Sequence, residues 1–137
     1  QLPYHYDWET YNMPWYFPTL EEALLNGKGD CKARYLLLAS LFEELDIPYQ
    51  KNISLTHIWV DYEGRIDNSL ENPREAMIIV DQAGRFKLSL PQTDLRQSWD
   101  SLVHGFWKTM PYGKKMLLLA GFPMIMSFFH MVQKVRN

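Results

Sequence analysis

The chain has 137 residues, of which 47% are hydrophobic and 15% aromatic, and a formal net charge of −2. This length and composition exclude a disordered chain and give one domain with a real core rather than two domains. The charge provides no general attraction to nucleic acid, and the single cysteine, Cys31, excludes an internal disulfide and a cysteine-rich zinc site.

Residues 1–18 alternate aromatics with prolines, as in Tyr4-His5-Tyr6-Asp7-Trp8 and Met13-Pro14-Trp15-Tyr16-Phe17-Pro18. Such a segment suits an extended arm laying its rings across a surface. A chain that begins at Gln1, with no signal-peptide pattern, is expected to have lost what preceded it. Thr19-Leu20-Glu21-Glu22 forms a capping box, which predicts a short helix to about Leu25 that stops at Asn26-Gly27. Gly27 and Gly29 supply a sharp turn, Asp30 is an N-cap, and Cys31 becomes the first residue of a helix running to about Leu45. Apolar residues lie around most of that helix, which predicts a central, buried element.

From Tyr49 the period changes to two. Residues 56–62, a turn at Glu63-Gly64 and a return strand over 65–68 read as one hairpin. Residues 76–81 and 86–90, joined at Gln82-Ala83-Gly84, read as a second. Thr93 or Asp94 should cap a helix to about Phe106, with Leu95, Trp99, Leu102, Val103 and Phe106 as core positions. Residues 116–132 carry no formal charge over 17 positions and are flanked by Lys114, Lys115, Lys134 and Arg136. Three readings fit: a buried terminal helix kinked at Pro123, a membrane segment or anchor, or a methionine-rich partner-binding helix in an oligomer. Membrane association is favoured, with the face it occupies undetermined.

A cysteine at a helix start sits among unpaired N–H groups and a partial positive charge, which favour a thiolate and can hold an oxyanion. A thiol nucleophile needs a base, and the base needs an acceptor that fixes its tautomer. His57, 26 residues on, is the candidate base. The third member depends on the register of the first hairpin. A three-residue loop pairs Trp59 with Asp67 and sets that carboxylate diagonally across from His57, whereas a two-residue loop brings Asn68 there. Asp67 is favoured, Asn68 comes second, and Asp61, on the strand of His57 itself, third. Trp59, Trp8 and Trp15 are candidate cleft linings. The remaining histidines, His5, His104 and His130, lack metal-motif spacing, so neither a metal nor another cofactor is expected.

Gly27-Lys28-Gly29-Asp30-Cys31 with its Leu/Ala run and the ending Leu45-Asp46-Ile47-Pro48, His57-Ile58-Trp59-Val60-Asp61, and Gly64-Arg65-Ile66-Asp67 occur in that order. Together they resemble the transglutaminase-like superfamily of papain-type Cys-His-Asp thiol enzymes. The resemblance covers about residues 4–68 and departs in a short Cys31 to His57 interval and in Asp67-Asn68 where the family has Asp-Pro. It implies an α+β fold in which a central helix bearing Cys31 packs on an antiparallel sheet bearing His57 and Asp67, with helices at the C-terminus. The expected organisation is a domain over residues 1–92 and a helical segment over 93–137. The implied activity is thiol acyl transfer through a thioester on a peptide or amide substrate, with hydrolysis favoured over transamidation. The alternative is a catalytically silent binding or scaffold module of the same fold.

Overall fold

Side chains that accept from exposed N–H groups set the helix starts. In the computed structural model, which describes residues 2–91 and 95–136, Thr19 accepts from the Glu22 amide and Glu22 reaches back to the Thr19 amide. That closed box opens α2 (Leu20–Asn26), and Gly27, at φ +60°, ends it. Asp30 accepts from the Lys32 amide at 2.9 Å and opens α3 (Cys31–Glu44). The arm before them holds one short helix, α1 (Asp7–Thr10), which the proline-rich pattern did not predict.

The fold is α+β. Four strands, β1 (Gln50–Ile53), β2 (Ile58–Asp61), β3 (Ile78–Asp81) and β4 (Phe86–Leu88), form an antiparallel sheet in the order β2-β1-β3-β4. The β3–β4 hairpin lies where expected, with Gly84 at φ +77° in its turn. The first hairpin does not. Its partner strand is β1, so Trp59 stands opposite Asn52, and residues 65–68 form no strand. The reason is local. The Asn68 side chain accepts from the amides of Leu70 and Glu71, and this side-chain turn competes with a ladder at that point.

Helix α3 packs on β2 and α2, burying Ala33, Ala39 and Phe42. Phe42 and Ala39 meet Val60, with Tyr35, Leu38, Ile47 and Tyr49 around them. The helix is not buried all round, because the sheet covers one side and leaves Leu41 52% exposed. Beyond the sheet, α4 (Leu95–Leu102) continues through a wider π turn (Val103–Lys108) to α5 (Tyr112–Arg136). The cap expected at Thr93 or Asp94 lies outside the described residues. Leu95 and Trp99 are exposed and not core, because among the described residues no element packs over them. The segment is nonetheless joined to the first part of the chain: Met110 is buried, Phe106 packs edge-on to Trp8, and Gly105 lies close under the ring of Tyr6.

Candidate active site

The arm, the glycine turn and the start of α3 are tied together at Cys31. Gly29 exchanges backbone bonds with Pro3 and His5, at 3.1 and 3.0 Å, and Arg34 donates to the Leu2 carbonyl. A Cβ at Gly29 would come within 2.4 Å of the Ala33 Cβ, so only glycine lets the turn lie this close to the helix. Lys32, next to the cysteine, is buried and donates to Asp7 at 2.9 Å and to Asp30. Burial would lower the Lys32 ammonium, but the two carboxylates outweigh it and hold it above its ordinary value. Burial keeps the Asp7 carboxyl above the usual range even so. This buried trio fixes the arm against the residue that carries the thiol.

The thiol itself departs from expectation. Burial, with a contribution from the adjacent Asp30 carboxylate, pushes Cys31 up to about 11, although the Ile58 backbone N–H donates to its sulfur and Lys32 opposes the rise. Burial is the main cause of the reversal, and Asp30 adds to it. The residue that caps the helix places its own negative charge beside the sulfur and takes the Lys32 amide for itself. Cys31 is thus a protonated thiol at neutral pH unless a base removes the proton.

His57 stands immediately before β2, next in sequence to the residue whose amide reaches the sulfur. Its Nε2 lies 3.0 Å from a carboxylate oxygen of Glu71 and its ring 6.2 Å from that of Trp59. Glu71 is in turn held by Arg65, through Nη1 at 2.9 Å and through a bond from Nη2 to its backbone carbonyl, and by the Asn68 amide at 3.2 Å. Arg65 also binds Asp61 and Asp67, at 3.1 and 2.9 Å. The carboxylate on His57 is therefore Glu71. Asp67 lies on Arg65, Asn68 caps a turn, and Asp61 bonds Arg65 and accepts from Asn52. Asp67 misses the histidine because the strand that was to carry it does not form. The available signal was Glu71-Asn72-Pro73, a carboxylate ahead of a proline turn, in a segment without periodicity to direct attention there.

With Nε2 on the carboxylate, Nδ1 is the ring nitrogen left to serve a thiol. Cys31, His57, Ile58 and Tyr4 line two clefts in common, one of about 330 Å³ and one of about 440 Å³. The larger one continues to Trp59, Arg65 and Glu71. The smaller one is walled by the arm, including Trp15, by Gly105, and by Leu102 and Phe106, which sequence spacing assigned to the core. Trp8 is buried behind Phe106. Among the described residues no group of three or more His, Cys, Asp or Glu could hold a metal ion. No family model, no curated protein and no solved structure matches the chain.

Proposed function

We propose that this chain is a thiol acyl-transfer enzyme with a papain/transglutaminase-like core, in which Cys31 is the nucleophile, His57 the general base and Glu71 the acid that orients it. The observation that carries the reading is the His57 Nε2 to Glu71 bond at 3.0 Å beside a cleft that His57 shares with Cys31. A thiol held up at about 11 calls for a neutral pair rather than a preformed thiolate. His57 takes the thiol proton as sulfur attacks the carbonyl carbon, and Glu71 faces the imidazolium that results. The amide of Cys31, at the start of α3, is the donor expected to face the oxyanion. The bond to the leaving amine or alcohol then breaks, His57 returns the proton to it, and a thioester remains on Cys31. Water hydrolyses the thioester with His57 as base, and an amine in its place gives transamidation. Hydrolysis of an amide or peptide bond is the favoured outcome.

A second reading, a silent binding module of the same fold, is favoured by the raised Cys31 thiol alone. The two are separated by single-turnover acylation with p-nitrophenyl acetate, followed by intact mass. The enzyme reading requires stoichiometric acetylation of Cys31 that is lost in Cys31→Ser and slowed in His57→Ala. Absence of acetylation in the parent chain establishes the silent module.

A further inference from the structure

We propose that the smaller cleft receives the acyl chain of an amphiphile presented at a lipid bilayer in which α5 is seated; this inference rests on the thiol acyl-transfer reading. The cleft beside Cys31, of about 330 Å³, has an apolar wall of Pro14, Trp15, Phe17, Ile53, Leu102 and Phe106, with Lys51, Ser54, Thr56 and Ser101 also on its lining. That apolar wall binds methylene groups.

Helix α5 decides where such a substrate comes from. Its apolar stretch, Tyr112–Gln133, has 22 residues, a mean hydropathy of 1.6 and none of its most apolar window buried against the protein. Its charge-free part, residues 116–132, reaches roughly 25 Å at about 1.5 Å per residue, close to a hydrocarbon core of about 30 Å, and leaves Lys114 and Lys115 at its foot for the headgroups. Met116, Leu117, Leu118 and Leu119 are consecutive and 46% to 77% exposed. Successive helical residues point about 100° apart, so these four put apolar surface on every side. A protein groove covers one face of a helix, whereas a bilayer covers all of them.

The foot of the helix has the side chains of a headgroup layer. Lys114 and Lys115 lie over the rings of Trp8, and of Trp107 and Tyr112, at 4.6 to 5.9 Å, and Tyr112 is 85% exposed. This foot is fastened to the cleft. Lys114 donates to the Asn12 carbonyl of the arm and stands on Trp8, whose ring packs 6.1 Å from that of Phe106, a wall of the cleft. One tryptophan thus links the base of the apolar helix to the pocket beside the nucleophile. The reaction remains balanced as above: the acyl carbon passes from its oxygen or nitrogen to the Cys31 sulfur, the carrier leaves with the proton, and water releases the fatty acid.

The test uses the full chain with phosphatidylcholine vesicles, first in flotation and then in Cys31 acylation by p-nitrophenyl acetate, butyrate and octanoate. Burial of each methylene favours binding by about fourfold, so octanoate with three methylenes seated should acylate on the order of fiftyfold faster than acetate. Leu102→Asp should collapse that ratio toward one, and Leu102, 43% exposed, can take a carboxylate without loss of the fold. The ratio in Leu102→Asp also separates cleft binding from simple partition of longer esters into lipid. A chain that stays below the vesicles overturns the seating. A flat chain-length series, or a ratio indifferent to Leu102→Asp, overturns the acyl subsite while leaving the thiol mechanism standing. Absence of acylation by every ester overturns both.

Discussion

Replacing Lys32 by methionine removes the one cation from a buried site and leaves two carboxylates facing each other. The Lys32 side chain is 10% exposed and those of Asp7 and Asp30 are 7% and 8% exposed, so water cannot take over its role without opening the arm. Breaking a buried pair by removing one partner costs about 3–5 kcal/mol, because a charge is stranded. The lower end applies here, since Asp7 keeps the Tyr16 amide at 3.0 Å and Asp30 keeps the Lys32 amide, which methionine also has. A loss of about 3 kcal/mol is expected at pH 7 in urea unfolding followed by tryptophan fluorescence. The carboxyl of Asp7, already raised by burial, rises further without the ammonium. A carboxyl raised in the folded state stabilises it fully below its unfolded value and loses that contribution as pH rises. The gap between parent and Lys32→Met must therefore narrow as pH falls through the carboxylate range. A loss under about 1 kcal/mol at pH 7, or a gap that widens in acid, would refute the assignment of this trio as the clamp between arm and helix.

Other consequences can be measured on the same chain. The Cys31 thiol, pushed from 9.0 to about 11, keeps its proton in the folded state while the unfolded chain releases it. That contribution is complete below pH 9 and lost as pH rises to 11, so parent stability should fall by about 2–3 kcal/mol more than that of Cys31→Ser across this window, by urea titration. Glu71→Gln should slow Cys31 acylation on the order of ten- to a hundredfold by removing the charge on His57, whereas Asp67→Asn, at a side chain 51% exposed on Arg65, should change it less than about threefold. Equal effects from the two substitutions would contradict the geometry at His57. Gly29→Ala drives a methyl group into Ala33 and should cost about 1–3 kcal/mol in thermal or urea unfolding, and unchanged stability would show that the turn can move away.

Local chemistry made half of this fold legible. A capping box at Thr19, an Asp30 cap and a Gly84 turn each need only neighbours in sequence, and all three lie where the residues put them. Strand β1 escaped because Gln50-Lys51-Asn52-Ile53 is polar; its Asn52 is 1% exposed and donates to Asp61 at 3.4 Å, a position justified only by the strands on either side. Losing β1 misplaced the partner of β2 and carried Asp67 to the wrong place. Glu71 is brought to His57 by Arg65 and an Asn68 turn, side-chain bonds that leave no period in the sequence. The spacing of Leu102 and Phe106 identified a helical face but not what stands opposite it, which is a cleft and not a core.

The central claim is that His57 activates Cys31, and the rate of Cys31 alkylation by iodoacetamide against pH, in the parent and in His57→Ala, tests it most directly. One cysteine makes the signal unambiguous. A thiol near 11 acting alone has about one part in ten thousand as thiolate at pH 7, so unassisted alkylation there is very slow. The account predicts a rate at pH 7 at least about tenfold above that of His57→Ala, with the two profiles converging only as the thiol itself ionises. Superimposed profiles that rise only above pH 10 would contradict it and leave Cys31 a buried structural residue.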